Sequence, residues 1–344
     1  MPCTQSGNVK GRFPLSAYGR FLLRRAVYAV ITFFIALVMI FIIPRLVAVN
    51  PVDIIAASQQ LPPSAIRQLT VEFGLNKPVY VQFLLYLKNV ILTFPPNLGF
   101  SYEYYPISVW KLISISLPWT LFLVGTSVAI SAFLGTMMGL YAGMNRGGIL
   151  DRMMSYAAMT TQSLPYFWIA IVLQILLAVV LRVFPIGGAI SITDVSPPYS
   201  LPWIQDVVYH ALLPMITIVI ATTPVYSIIM RNTLVDIVRE DYMVAAEAKG
   251  LKKSTLYNTY GLRNGILPVV SLIAVHFGYV VGGALLVEIV FSYPGVGTLL
   301  FNAILSHDYP LIQGIFFILA ITVIGANFIA DVIYSYIDPR IRYT

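Results

Sequence analysis

The residues that could support catalysis or metal binding lie far apart in this sequence and match no catalytic motif. The histidines His210, His276 and His307 occur on separate segments, without the H-E-x-x-H spacing of a zinc-binding helix. No G-x-S-x-G sequence occurs, which excludes the nucleophile elbow of a serine hydrolase. The single cysteine, Cys3, excludes an internal disulfide and a cysteine-ligated metal site. We therefore predict that the chain is not an enzyme and itself binds no metal or other cofactor.

A nucleotide-binding loop is also missing from the sequence. The pattern G-x-x-x-x-G-K-[ST] places backbone amides around nucleotide phosphates, and the stretch from Gly250 to Ser254 resembles it only superficially. Any work that depends on ATP must therefore use ATP and Mg²⁺ bound by another chain.

The composition indicates an integral membrane protein. Of the 344 residues, 58% are hydrophobic and only 10% are charged, whereas a soluble chain carries about 25% charged residues. The net charge of +7 would suit a nucleic acid partner. However, the positive charge is distributed as a membrane requires, so we predict a lipid bilayer and no nucleic acid.

Charge-free runs of about 20 residues, the length that crosses the hydrocarbon core, occur six times. We therefore predict an all-α membrane protein with six transmembrane helices. The predicted spans are Ala26 to Pro44, Leu117 to Gly143, Met153 to Leu181, Val207 to Met230, Leu267 to Val287, and Tyr309 to Ala330, the last extending toward Ile337.

The basic residues predict the orientation. Fifteen of the 21 Lys and Arg residues fall on the side that holds both termini, which makes that side cytoplasmic. The resulting plan has a cytoplasmic segment (1–25), the first span (26–44), an extracytoplasmic loop (45–116), a five-helix core (117–337) containing a cytoplasmic loop (231–265), and a cytoplasmic tail (338–344).

Two further apolar stretches are not predicted to span. Lys88 lies near the centre of Val79 to Phe94, where a charge would cost about 3 kcal/mol at mid-bilayer, so we expect an amphipathic surface helix. Turn-forming residues from Tyr293 to Gly297 interrupt the other stretch, and we expect residues 289–307 to form an outer loop.

Two acids lie near the ends of predicted spans, Glu288 in the fifth and Asp331 in the sixth. Acids at membrane depth are functional candidates, but these can reach the interface or a basic partner, so we favour packing. Gating is the alternative for both acids. Gly282 and Gly283, which permit close helix approach or a hinge, join Glu288 as gating candidates.

Polar residues within the spans are candidates for a translocation path. We expect bends at Pro165 and Pro224, which suit either a moving pathway or a static bundle. For the histidines, we expect His210 to lie at the membrane interface and His276 to form hydrogen bonds in the core. The path candidates are Gln162, Tyr166, Thr222, Thr223 and Tyr226.

The most polar part of the chain, Arg231 to Arg263, predicts a helix-turn-helix. Gly250 should end a short, alanine-rich helix because glycine adopts the left-handed conformation readily, and Lys249 is favourable in the last turn. Ser254 should then cap a second helix, weakened by Gly261 and Gly265. On composition alone, a solvated loop that merely connects two spans is the interpretation we favour.

The pattern D-Y-x-x-x-A-x-A-K-G-L from Asp241 to Leu251, followed by L-R-N-x-x-L-P from Leu262 to Pro268, resembles the cytoplasmic EAA loop of ABC-importer permeases of the dipeptide/oligopeptide class. The glutamate of that loop is replaced here by Val244. Further resemblances occur at the amino terminus, in the outer loop and in later segments. They are R-F-L-L-R-R (20–25), G-L-N-K-P-V (74–79), S-L-P (163–165) with Phe167-Trp168, V-E (287–288) with F-S-Y-P-G-V-G (291–297), D-Y-P (308–310) and D-P-R-I-R (338–342).

The resemblance, to the B-type permease subunit, implies transport of peptides or oligosaccharides by alternating access, with an independent secondary carrier or channel as the alternative. It implies four kinds of partner: a second homologous permease, two ATP-binding subunits, an extracytoplasmic solute-binding protein and the bilayer. It also implies that the short cytoplasmic helix couples the chain to its ATPase. The coupling residues so implied are Asp241, Tyr242, Ala245, Ala246, Ala248, Lys249, Gly250 and Leu251.

Overall fold

The fold, from a computed structural model, is described for residues 17–46, 62–72, 74, 76–191, 197–283 and 285–337. Within these ranges every regular element is helical, and Phe100 and Ser108 form an isolated β-bridge. One π-helix, Gln174–Val180, continues the α-helix that ends at Leu173, and another, Leu256–Gly261, connects Thr255 to Leu262. The helices are α1 (Ala17–Leu46), α2 (Pro63–Glu72), α3 (Val79–Ile91), α4 (Val109–Met144), α5 (Ile149–Ser163), α6 (Tyr166–Leu173), α7 (Leu201–Ile237), α8 (Asp241–Ala248), α9 (Lys253–Thr255), α10 (Leu262–Gly283), α11 (Leu285–Val290), α12 (Val296–Leu305) and α13 (Tyr309–Ile337).

The all-α membrane architecture is confirmed. Four described helical segments are long and apolar enough to cross a membrane: Leu22–Leu46 in α1, α4, α7 and Tyr309–Ile329 in α13. Ile149–Ser163 and Tyr166–Val180 can make a fifth span, bent by 100°. The predicted fifth span falls on α10 and α11, on either side of residue 284, so the count of six stays a prediction.

The bend predicted at Pro165 is present. Leu164, the residue before the proline, has an extended backbone with φ −103° and ψ 130°, as expected because a following proline disfavours the α conformation. Helix α7 runs without a break through Pro214 and Pro224, so these prolines do not divide the predicted fourth span. The bend expected at Pro224 stays a prediction.

A stripe of glycines on α4 allows its close contact with α7. Gly135, Gly139 and Gly143 recur every four residues, so they share one helix face. A Cβ atom on Gly135 would lie 2.5 Å from Tyr226 Cβ, and one on Gly139 would lie 2.3 Å from the Ser227 carbonyl oxygen. Only hydrogen fits at these positions, and the two backbones approach as small-residue stripes permit in membranes.

The two stretches predicted not to span differ in outcome. A helix is present there as α3, in which Lys88 is exposed, and Phe83 packs against Phe41 of α1 with ring centroids 5.0 Å apart. Its location at the membrane surface stays a prediction. The outer loop at 289–307 was wrong in form, because a turn leads into α12, a helix with five buried residues. Of the predicted segments, residues 1–16, 47–61 and 338–344 lie outside the described part of the chain.

Candidate functional site

The helix singled out by the sequence is α8, which occupies Asp241–Ala248. Gly250 has φ +73°, the left-handed conformation that ends a helix, and a Cβ atom there would meet nothing within 4 Å. Lys249 forms the C-cap. The short helix and its glycine stop are therefore confirmed.

The helix α8 has one buried side and one exposed side. Met243 and Ala246, three residues apart and 1% and 5% exposed, form a cluster with Leu256 of the following π-helix. Ile237 and Val238, at the end of α7, pack against this cluster. The helix is thus attached to the chain by its own apolar contacts rather than standing free.

Seven of the eight residues implied to contact the ATPase lie on the exposed side of α8 or just after it. Ala246 differs, because it faces the chain's own core. The pattern of small residues could not separate Ala245 from Ala246, since only packing decides which alanine is covered. The exposed residues are Asp241, Tyr242, Ala245, Ala248, Lys249, Gly250 and Leu251.

The turn after α8 differs from the prediction in two details. Ser254 does not cap the second helix, because α9 begins at Lys253 and Lys252 occupies the N-cap without a side-chain hydrogen bond. Gly261 and Gly265 are packing positions rather than weak points. Added Cβ atoms there would lie 2.7 Å from Leu234 Cδ1 and 2.8 Å from Met230 Cε of α7.

One polar contact ties α8 to the helix bundle, and a second joins α7 to α5 nearby in the sequence. Asn264 of α10 donates a hydrogen bond from Nδ2 to the Tyr242 hydroxyl at 2.9 Å. Arg231 of α7 contacts both carboxylate oxygens of Asp151 on α5, at 2.9 and 3.0 Å. Sequence reasoning missed the second pair because its members are 80 positions apart and carry no shared local pattern.

Glu288 is fully buried and holds the start of α12. Its carboxylate accepts hydrogen bonds from Thr120 Oγ1 of α4 at 2.6 Å and from the backbone N–H groups of Gly297 and Thr298 at 2.7 and 3.2 Å. The Thr120 hydroxyl in turn accepts from the Val296 N–H at 2.8 Å. The packing interpretation is supported, and the carboxylate satisfies donors that a helix N-terminus leaves unpaired.

The glycines near Glu288 explain part of the F-S-Y-P-G-V-G segment. A Cβ atom on Gly295 would lie 2.3 Å from the Glu288 carboxyl group, and one on Gly297 would lie 2.5 Å from Leu285 Cα. Both positions therefore require glycine. The other gating candidates, Gly282 and Gly283, are the last two residues of α10. A gating role for Gly282, Gly283 or Glu288 stays a prediction.

A second buried carboxylate, Asp308, connects the segment before α4 to α13. It is fully buried and accepts hydrogen bonds from the N–H groups of Tyr102 at 2.9 Å, Glu103 at 3.1 Å and Leu311 at 3.2 Å, and from the Ser101 hydroxyl. Burial raises the pKa of the Tyr102 phenol above its ordinary value, and the Asp308 charge adds to the rise. The position of Asp308 before Tyr309 and Pro310 in the sequence gave no sign of these hydrogen-bond partners.

The five path candidates lie in different surroundings. Gln162 is exposed, whereas Tyr166 is half-buried against the main hydrophobic core. Thr222 donates to Ser131 Oγ of α4 at 2.8 Å, and Thr223 is 8% exposed. Tyr226 is fully buried, with its hydroxyl 2.7 Å from His276 Nδ1. The four that are not exposed therefore have contacts within this chain, and their role in a path stays a prediction.

The remaining ionisable candidates have clear partners. His276 is hydrogen-bonded as expected. His210 was expected at the interface but is 7% exposed, and its Nδ1 lies 3.0 Å from the Asp206 carbonyl oxygen. Asp331 reaches a basic partner, Arg25, at 3.1 Å. Within the described ranges, no group of three or more His, Cys, Asp or Glu side chains could hold a metal ion.

Comparison with known proteins gives these features a context. The family described as "Binding-protein-dependent transport system inner membrane component" matches residues 135–343, and its amino-terminal companion matches residues 18–124. The chain belongs to this family. As a member, it is a membrane permease subunit of a binding-protein-dependent ABC importer.

Similar permeases are named for peptide transport. The chain is 30% identical to the di/tripeptide permease protein DppB of Pseudomonas aeruginosa, over 94% of this chain and 98% of that protein. It is 31% identical to the dipeptide permease protein DppB of Escherichia coli, over 94% and 99%. With the oligopeptide permease protein AppB of Bacillus subtilis, the identity is 30% over 80% and 84%.

Proposed function

We propose that this permease subunit imports peptides and is driven by separate ATPase subunits that bind at α8. The peptide names of its relatives in three bacteria support this substrate class over oligosaccharides. The proposed assembly contains a second homologous permease, two ATP-binding subunits that use ATP and Mg²⁺, and an extracytoplasmic solute-binding protein. In this assembly the chain spans the membrane six times with both termini in the cytoplasm.

The observation that carries the proposal is the division of α8 into two sides. Met243 and Ala246 fix the helix to the chain, while Tyr242, Ala245 and Ala248 are exposed. A partner can therefore dock on the exposed side without displacing the contacts that hold the helix. Because the helix is already ordered, docking loses little conformational entropy, and movement of the partner moves the helix with it.

Two connections carry such a movement into the bundle. The apolar cluster of Met243 and Ala246 touches Ile237 and Val238 at the end of α7. The Asn264–Tyr242 hydrogen bond reaches α10. We propose that closure of the ATPase dimer displaces α8, and that α7 and α10 move with it to expose the path to alternate sides.

The proposed path follows the polar residues of α5, α6 and α7. Its candidates are Gln162, Tyr166, Thr222, Thr223 and Tyr226. The contact between Tyr226 and His276 joins α7 to α10, so a relative movement of these two helices would change this contact. Gly282, Gly283 and Glu288 are proposed to gate the path near the end of α10.

The test uses the complete transporter reconstituted in vesicles, with ATPase co-purification and uptake of labelled dipeptide as measurements. Ala245→Arg places a bulky charge on the exposed side while keeping helix propensity almost unchanged. We expect it to reduce both ATPase retention and uptake by at least about tenfold, the effect of about 1.4 kcal/mol at an interface. The matched control, Asn258→Arg, changes an exposed residue of the following π-helix and should leave both unchanged.

Normal uptake by the Ala245→Arg transporter would contradict docking at α8. Accumulation of a solute on an ion gradient by the purified chain alone would show the independent carrier instead. Uptake of a labelled oligosaccharide but not of dipeptide would overturn the substrate class alone.

A further inference from the structure

A continuous groove runs between α1 and α13. Its larger part has a volume of about 480 Å³ and its smaller part about 180 Å³, and both are lined by Thr32 and Ile324. The helices are antiparallel here, because Arg25 meets Asp331 at one end and Pro44 shares the groove with Ile312 at the other.

The two parts differ in chemistry. The larger part is lined by aliphatic and aromatic side chains, among them Met39, Ile43, Phe316 and Leu319. The smaller part is lined by four polar or charged residues, Arg25, Tyr28, Asn327 and Asp331. A ligand that fills both parts must therefore have an apolar chain and a polar head.

The length of the apolar part suits a hydrocarbon chain. At a rise of about 1.5 Å per residue, Thr32 and Ile43 are about 16 Å apart along α1, close to half of the roughly 30 Å hydrocarbon core. A hydrocarbon chain that reaches half-way through the bilayer can therefore lie along the whole apolar part of the groove.

Positive charge is concentrated at the polar end. Arg20, Arg24 and Arg25 lie in the first turns of α1, all exposed, and α1 contains no acidic residue. Arg24 and Tyr28 are four residues apart and share a helix face. Asp331 opposes Arg25 at 3.1 Å and offsets part of this charge. The excess of arginines at the edge of a membrane helix is complementary to an anionic headgroup.

We infer that the groove between α1 and α13 binds one anionic phospholipid. An acyl chain lies along the apolar part, and the phosphate lies at the arginine end, within reach of Arg24 and of the Asn327 amide. The occupant stays with the permease through the polar end, which distinguishes it from the exchanging lipids around the other apolar faces. The inference does not depend on the transported substrate or on coupling to ATP.

The test is native mass spectrometry of the full-length chain in mild detergent, titrated with phosphatidylglycerol or with phosphatidylcholine carrying the same acyl chains. We expect phosphatidylglycerol to be retained preferentially. Arg24→Gln should reduce that preference by about fivefold, as expected for one arginine near an anionic headgroup. Lys88→Gln, which removes an exposed positive charge from α3, should not change it.

A second pair of variants tests the acyl-chain part of the groove. Ala320→Trp fills the groove from α13 and should reduce retention of both lipids. Val30→Trp adds the same side chain at a position of α1 that is 66% exposed and does not line the groove, and should have no effect. Size-exclusion chromatography of each variant confirms that the chain remains folded.

Equal retention of the two lipids by the unmodified chain would overturn the inference, as would unchanged retention in both Arg24→Gln and Ala320→Trp. In the assembled transporter, cross-linking of Ala320→Cys to the second permease subunit would show that the groove is a subunit interface, and would also overturn it.

Discussion

Asn264, in the first turn of α10, donates a hydrogen bond to the hydroxyl of Tyr242, in the first turn of α8, at 2.9 Å. The two residues are 22 positions apart, and the bond joins the proposed ATPase-docking helix directly to a helix of the bundle. Met243, the neighbour of Tyr242, is buried against the end of α7. Adjacent residues of α8 thus hold two different helices.

Removal of the Tyr242–Asn264 bond should weaken coupling more than assembly. A hydrogen bond of this kind contributes about 1 kcal/mol, so we expect Tyr242→Phe to lower ATP-driven uptake by about fivefold while the ATPase subunits still co-purify. The measurement is uptake per ATP hydrolysed in vesicles. Asn264→Ala should have the same effect, and the double variant should be no worse than either single one. Additive losses would show that the two residues act independently.

Gly250 should tolerate only residues that accept a left-handed backbone. Its φ of +73° is unfavourable for a β-branched residue, although nothing within 4 Å would meet an added Cβ atom. We expect Gly250→Val to destabilise the α8 turn by at least about 1 kcal/mol, detected as faster amide hydrogen exchange in residues 241–249. Gly250→Asn is the matched control, because asparagine enters this conformation more readily. Equal exchange in the two variants would contradict this explanation.

Loss of the Glu288 carboxylate should destabilise the α12 region. In Glu288→Ala, the N–H groups of Gly297 and Thr298 lose their acceptor and the Thr120 hydroxyl loses its own. Each unsatisfied buried group costs about 1–3 kcal/mol, and a marked fall in Tm is therefore expected in detergent. Glu288→Gln keeps one acceptor oxygen, so its Tm should lie between those of the unmodified protein and Glu288→Ala. A normal Tm for Glu288→Ala would show that water replaces the carboxylate.

The contact between α4 and α7 should be sensitive to a single methyl group. Gly139→Ala would place Cβ 2.3 Å from the Ser227 carbonyl oxygen and 2.8 Å from Met230 Cβ. Such overpacking costs about 1–3 kcal/mol, so Tm should fall. Gly125→Ala, on the same helix with nothing within 4 Å of the new Cβ, should leave Tm unchanged or raise it. A similar response at both positions would show that helix propensity, not packing, decides the outcome.

The spacing of Gly135, Gly139 and Gly143 was a readable signal that sequence reasoning did not use. Only the glycines of the predicted fifth span were interpreted as sites of close helix approach. Three glycines at four-residue intervals on an apolar helix already predict such a contact. The partner of that stripe could not be read, because any other span could supply it. Only the fold identifies α7.

Local chemistry was sufficient for several parts of the protein. The apolar runs predicted membrane helices because backbone groups in lipid must be paired within the segment. Gly250 predicted the end of α8, and Pro165 predicted a bend. These outcomes depend on single residues and their immediate neighbours, and no distant contact was needed.

The tertiary structure alone decided which residues of these elements face each other. It covered Ala246 and exposed Ala245, placed Glu288 at the start of α12, and paired Arg231 with Asp151 across 80 positions. The spacing of residues along a helix fixes which side chains share a face, but the neighbour of each face depends on how the whole chain packs. For this reason the sequence by itself determined the class of protein and the position of α8, the proposed coupling helix, whereas the attachments through which that helix would act are set by packing.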